Sequence, residues 1–210
     1  MEKIKLKVIG LCGGSGSGKG TVAAMFSDHG IPCIDTDAVY HGLTSGKSEC
    51  LDALTDEFGS EILNGDGSLN RKKLSDIVFY GSDSFSKRGA LNRISHKFVL
   101  DEARRIILEY RKDGKEAVLV DAPLLFESGF DAECDVVICV IADKDVRISR
   151  IVARDGISVE EATKRIDSQL TDEYLIAHSD YTIFNSESLI KTRLSVNEIA
   201  NKILCLDKGE

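Results

Sequence analysis

The chain has 210 residues, with 27 Lys and Arg against 35 Asp and Glu, a formal charge of −8 with neutral histidines. That length suits one domain of ordinary size with inserted subdomains, and an apolar fraction of 42% beside a charged fraction of 30% excludes a disordered tail. The acidic balance excludes bulk, sequence-independent nucleic-acid binding, which needs a basic surface, but leaves room for a local pocket that holds a small polyanion.

The first residues, Met1-Glu2-Lys3-Ile4-Lys5-Leu6-Lys7, lack the makeup of a signal peptide, and the apolar run 8–12 is too short for an h-region or a membrane span. Five apolar runs read as buried strands: 6–11, 31–34, 117–120, 136–141 and 181–184. Their β-branched, near-continuous apolarity suits a parallel sheet covered on both faces. Helical patterns lie between them. One runs over 19–28 and stops at Gly30; another runs over 94–112, with Phe98, Val99, Ile106 and Leu108 apolar and Gly114 after it. Ser158-Val159-Glu160-Glu161 is a capping box that opens a helix toward Leu170. Alternating strands and helices predict right-handed βαβ units and a doubly wound α/β fold, a five-stranded parallel sheet with helices on both faces.

About eighty residues separate the second strand from the third, where a crossover needs a dozen or so. The stretch 41–114 is therefore expected to be a helical insert for a substrate, with a lid at 143–173 and a core over 1–40, 115–142 and 174–210. Cys12, Cys33, Cys50, Cys134, Cys139 and Cys205 include no Cys-x-x-Cys pair and no zinc-ligand spacing. They read as reduced, small hydrophobes in a cytoplasmic protein.

Gly13-Gly14-Ser15-Gly16-Ser17-Gly18-Lys19-Gly20-Thr21 follows a predicted strand and opens a predicted helix, the context of a phosphate-binding loop. Its amides can turn inward on phosphate oxygens, the helix adds its N-terminal dipole, and Lys19 neutralises the β- and γ-phosphates. The usual loop has Ser or Thr directly after the lysine to ligate Mg²⁺. Here that position is Gly20, a form similar to the loop of adenylate kinases, so either Thr21 supplies the hydroxyl or the metal has no direct loop ligand. A GTPase would need Asn-Lys-x-Asp, and Asn201-Lys202-Ile203-Leu204 does not supply it.

Transfer of phosphate to an alcohol calls for a carboxylate at the acceptor hydroxyl. Ile34-Asp35-Thr36-Asp37 ends the second strand at the edge where ligands bind in such sheets. Asp37 is the expected base and Asp35 a magnesium or acceptor partner; the bland alternative for one such Asp is a helix N-cap. Asp121 ends the third strand and could hold the metal through water, or be a turn residue before Pro123. Leu124, Leu125 and Phe126 after Pro123 form an apolar wall for the acceptor or for the insert's own helices. Arg147, Arg150 and Arg154 share one helix face and are expected over the triphosphate, unless Asp143, Asp145 and Asp155 pair with them. Arg165 and Gln169, four apart, would complete the lid. Asn185 would line the adenine pocket or be a plain turn residue. His96, near the start of a long helix, is an acceptor-site candidate against a structural reading, and Arg71 and Lys72 could meet acceptor phosphates.

Together these segments resemble the dephospho-coenzyme A kinases. The resemblance runs from about Val8 to Asn185. It is carried by Gly10-Leu11-Cys12 with the loop, by Ile34-Asp35-Thr36-Asp37, and by Leu91-Asn92-Arg93-Ile94-Ser95-His96. The more specific Asp121-Ala122-Pro123-Leu124-Leu125-Phe126-Glu127 follows, then Arg154-Asp155, Arg165 with Gln169, and Ser179-Asp180-Tyr181-Thr182-Ile183-Phe184-Asn185. The resemblance implies a P-loop kinase with a core, a helical coenzyme-binding insert and a lid. It implies transfer of the ATP γ-phosphate to the ribose 3′-hydroxyl of dephospho-CoA with Mg²⁺, the last step of coenzyme A synthesis. It assigns Asp37 as base. Lys19 and Arg154 then assist transfer. From the reading of the residues, Gly14, Ser15, Gly16, Ser17, Gly18, Lys19, Gly20, Thr21, Arg147, Arg150 and Asn185 are expected to bind ATP. Asp35, His96, Leu124, Phe126 and Arg165 meet the acceptor, and Thr21, Asp35 and Asp121 the metal, directly or through water. ATP and dephospho-CoA are the expected partners, with no nucleic acid and no membrane; a monomer is compatible. The chain departs from the family at Gly20, where Ser is usual, at His41 for Arg and at Lys97 for Pro. Two alternatives stay open: a kinase for another small acceptor such as a nucleoside monophosphate, and a nucleotide-binding regulator without transferase activity.

Overall fold

A computed structural model describes residues 6–80 and 83–205; residues 1–5, part of the segment read for a leader, and the Cys205 side chain lie outside the described residues. In chain order the elements are β1 (Lys7–Cys12), α1 (Lys19–Ser27), β2 (Cys33–Asp35), α2 (Thr36–Leu43), α3 (Glu49–Phe58), α4 (Arg71–Phe79) and α5 (Ser84–Lys112). Then come β3 (Ala117–Asp121), β4 (Val136–Ile141), α6 (Lys144–Asp155), α7 (Val159–Asp167), α8 (Asp172–Ala177), β5 (Tyr181–Phe184) and α9 (Leu189–Cys205). The strands form one five-stranded sheet in the order β2-β3-β1-β4-β5. β1 pairs in parallel with β3, Leu11 opposite Asp121, and with β4, Cys12 opposite Cys139, while β4 pairs in parallel with β5. This is the expected α/β architecture, and it brings the ends of β1, β3 and β4 to one edge.

Alternate residues of β1 serve opposite faces. Ile9 and Leu11 join Leu119, Ile138, Val140 and Ile183 in a core covered by Val22 and Phe26 of α1 and Val196 and Ala200 of α9. On the other face a Cβ at Gly10 would stand 2.9 Å from Cys134 Sγ and 3.0 Å from a Leu125 methyl. Leu125 is thus fully buried on the sheet. It does not join the apolar wall expected of 124–126, because the absent side chain at Gly10 leaves it a socket.

The chain divides into two compact units, residues 1–34 with 107–210, and residues 35–106. The second has its own core of Leu51, Leu54, Phe58, Ile62, Leu74 and Val78. It begins at Asp35, earlier than the expected 41, because α2 packs Tyr40 and Leu43 on that core. α5 starts ten residues before the expected helix at 94. Gly89 inside it costs about 1 kcal/mol against Ala, which hides the helix from a local reading, but Ala90, Leu91 and Ile94 pack on the same core and offset it. In the first unit α6 and α7 pack through Ile151, Ala162 and Ile166. Among the described residues no helix is long and apolar enough to cross a membrane.

Candidate active site

The loop after β1 is held from outside by its carbonyls. Ser15 O accepts from Arg147 Nε at 2.9 Å. Arg150 Nη1 donates to Gly16 O at 3.2 Å and to Ser17 O at 3.3 Å. Asn185 Nδ2 donates to Ser17 O at 2.8 Å. In a planar trans peptide the C=O of one residue and the N–H of the next point in opposite directions. Fixing Ser15 O and Ser17 O outward therefore turns the N–H groups of Gly16 and Gly18 inward. With those of Lys19 and Gly20 at the start of α1, they find no acceptor among the described residues. Four convergent donors at a helix N-terminus make an anion cradle.

Arg147 and Arg150, expected over the triphosphate, and Asn185, expected at the adenine, all bind carbonyls of the loop. Asn185 is only 2% exposed, with Nδ2 on Ser17 O and Oδ1 accepting from Thr192 Oγ1 at 2.9 Å. It does not line an open adenine pocket, because both ends of its amide are committed in the interior. Arg147 is 4% exposed and also pairs with Asp172 Oδ1 at 3.0 Å. Arg150 Nη2 completes its carbonyl contacts on Asn185 O at 2.8 Å. A one-sided row of arginines was legible in the sequence; that loop carbonyls, not phosphates, would be the partners of two of them was not. The third, Arg154, is exposed and forms a fork with Asp155, which Arg165 also engages at 2.5 Å. The Arg154 pairing, then that with Arg165, holds the Asp155 carboxyl down at about 2.

Lys19 Nζ donates to Gly13 O at 3.1 Å and stands 4.0 Å from Asp121 Oδ1, both side chains largely buried. Thr21 is exposed on the first turn of α1. A Cβ at Gly20 would meet nothing within 4 Å, so packing does not demand the missing side chain. Ser17 is buried, its hydroxyl has no hydrogen-bond partner among the described residues, and its N–H donates to Gly14 O at 3.1 Å.

Beside the loop lies a cleft of about 230 Å³ lined by Gly13, Gly14, Leu124, Phe126, Glu127 and Gln169, among others. Leu124 is 41% exposed. Phe126 meets the Tyr174 ring edge-on at 5.6 Å, and Tyr174 stacks on His178 at 4.0 Å. Gln169, four after Arg165, binds the loop: its Oε1 accepts from Ser15 N–H at 2.8 Å.

In the second unit Asp35 caps α2, its Oδ1 accepting from Asp37 N–H at 2.9 Å and Ala38 N–H at 3.0 Å. The bland alternative describes this residue. Asp37, one turn-start later, is exposed, and its carboxylate makes no hydrogen bond among the described residues. His96 is half-buried on α5, and Arg71 Nη2 donates to Thr44 Oγ1 at 2.9 Å.

The family described as Dephospho-CoA kinase (CoaE) matches residues 7–191. A dephospho-CoA kinase of Symbiobacterium thermophilum is 38% identical over 97% of this chain and 84% of its own. Among solved structures, a Thermus thermophilus protein superposes with a TM-score of 0.76 at 29% identity, covering 94% of this chain and 97% of that one. A Campylobacter jejuni dephospho-CoA kinase superposes with a TM-score of 0.69 over 93% and 96% of the two chains; at 24% identity that likeness shows the fold. Profile, relative and geometry agree: the chain belongs to the dephospho-CoA kinase family and is a kinase built on a P-loop α/β fold.

Proposed function

We propose that this kinase moves the γ-phosphate of ATP to the ribose 3′-hydroxyl of dephospho-CoA, the last step of coenzyme A synthesis. The observation that carries the reading is the cradle of Gly16, Gly18, Lys19 and Gly20 amides, whose donors await an anion. The bond from the γ-phosphorus to the β–γ bridging oxygen breaks as the 3′-oxygen bonds to phosphorus. The hydroxyl proton passes to Asp37, and ADP leaves. The unengaged Asp37 carboxylate supports this assignment, and the cap on α2 formed by Asp35 holds the helix start that carries it. Lys19 balances charge that moves toward the β–γ oxygens. Arg154 and Arg165 approach phosphate in competition with Asp155. Leu124 and Phe126 pack against the acceptor, with His96 a further acceptor contact from the insert.

Thr21 and Asp121 are hard oxygen donors of the kind Mg²⁺ takes, and among the described residues no three His, Cys, Asp or Glu stand together as a metal cage. Those two residues would hold the ion together with phosphate oxygens and water, and the ion would neutralise phosphate charge. Five described cysteines are free thiols, which supports a reducing, cytoplasmic setting.

The test is an ADP-release assay with dephospho-CoA, AMP, CMP and uridine as acceptors, read by mass spectrometry. Dephospho-CoA should gain one phosphate and the others none. Turnover confined to a nucleoside monophosphate, or ATP binding with no phosphorylated acceptor, would overturn the assignment. Asp37→Asn should lower kcat at least about a hundredfold with KM for ATP nearly unchanged, as expected for loss of a general base. Near-normal turnover in that variant would remove Asp37 from the role.

A further inference from the structure

Gln169 sits in the link between α7 and α8, and three contacts determine how its amide faces. Ser15 N–H stands 2.8 Å from one end of the amide. A backbone N–H can only donate, so that end is the carbonyl oxygen Oε1. Arg147 Nη2 approaches the same oxygen at 3.4 Å. Arg147 cannot swing away, because its Nε is on Ser15 O and its Nη1 on Asp172. With the oxygen held from two sides, the Nε2 amide group faces away from Ser15, makes no hydrogen bond among the described residues, and belongs to a residue that lines the 230 Å³ cleft.

The position of that cleft along the nucleotide follows from Lys19. Its ammonium lies on Gly13 O, and a P-loop lysine reaches the β- and γ-phosphates. Gly13 and Gly14 line the cleft too, so it opens at the γ end of the loop, the end opposite the start of α1. Gln169 lines that cleft with its oxygen held by contacts that no substrate has to supply, and its Nε2 carries two N–H donors. In phosphoryl transfer, charge spreads over the oxygens of the moving group, and donors oriented beforehand stabilise it without reorganisation.

We propose that Gln169 is a further catalytic residue, its Nε2 donating to an oxygen of the γ-phosphoryl group in transfer. Arg147 is its positioning residue, together with Ser15 N–H. A neutral amide suits this place. Asp121 and Asp172 already balance Lys19 and Arg147, and a donor without charge strengthens as the phosphoryl charge shifts without gripping ATP or ADP beforehand. This inference rests on the kinase reading.

The test is Gln169→Glu, which keeps an oxygen for Ser15 N–H and replaces the donor by a second oxygen. With dephospho-CoA as acceptor, kcat should fall by about a hundredfold or more, the size expected for one preorganised donor. KM for ATP should stay within about threefold, since the amide is directed at the transition state. Affinity for ADP with aluminium fluoride and dephospho-CoA, a transition-state mimic, should fall with kcat, while affinity for ADP alone holds. Gln169→Met, uncharged and of similar length, serves as a second variant and should show the same split. A kcat within about threefold of the unmodified enzyme in both variants would overturn the proposal, as would a rise in KM with kcat intact, the mark of a side chain that only props the loop. If the unmodified enzyme does not turn over dephospho-CoA at all, the kinase reading fails first, and the two failures are distinguishable.

Discussion

Gly14 and Gly18 lack side chains because other atoms already stand where a Cβ would go. At Gly14 a Cβ would lie 2.1 Å from Arg147 Nη2, and at Gly18, 2.1 Å from Asn185 Nδ2 with the backbone at φ +94°. Those atoms belong to side chains that hold the loop's backbone, so the two glycines serve the brace as much as the phosphate. Gly14→Ala must displace a guanidinium tied at three points, a clash of the overpacking kind that costs about 1–3 kcal/mol. Calorimetric titration should show ATP binding weakened roughly ten- to a hundredfold. Gly20 is the opposite case, with open space where its Cβ would be. Gly20→Ser should restore the usual hydroxyl beside Lys19 without strain. It should lower the Mg²⁺ concentration for half-maximal activity and add up to about 0.5 kcal/mol of helix propensity.

Among the elements, α7 was the most legible, and its capping box forms as read. Ser158 Oγ accepts from Glu161 N–H while the Glu161 carboxylate reaches back to Ser158 N–H. Ser158→Ala should cost about 1 kcal/mol, seen as a lower urea midpoint with an unchanged slope. Loss of that cap also loosens the α6–α7 packing that carries Gln169. On the same pair of helices Asp155 shares its carboxylate between Arg154 and Arg165, which keeps it ionised to about 2. A carboxyl carbon titration should place its midpoint there, below the ordinary 3.8. Its lowered value means that the contribution to stability holds above the ordinary pKa and fades as pH falls through about 2. α5 was half legible: its later part showed helical spacing, while the part around Gly89 is helical because the insert's core is there to receive Ala90 and Ile94.

Across the molecule, two thiols packed at the central sheet, Cys12 buried and Cys134 partly buried, couple their ionisation to folding. Burial, more than any other cause, pushes Cys12 and Cys134 up to about 12 from 9.0. The unfolded chain therefore ionises them first. Stability is complete below pH 9.0 and declines as pH rises toward 12, and urea midpoints across that range should fall accordingly. Both thiols should also resist alkylation at pH 8 until the protein unfolds. The overall charge of −8 coexists with an anion site because the site's donors are backbone amides, which carry no formal charge.

Strand positions, the loop and the family were readable in the chain, because apolar period, glycine spacing and helix caps are local signals written in neighbouring residues. What each arginine or amide touches was not readable, since Arg147 and Gln169 meet Ser15 across more than 130 residues of chain. A guanidinium binds a phosphate and a carbonyl by the same hydrogen-bond chemistry, so composition and spacing cannot choose between them. The parallel sheet makes that choice by bringing the starts of α1 and α6 and the end of β5 to one edge, where the loop's own carbonyls reach Arg147, Arg150 and Asn185 and leave its amides free for the anion.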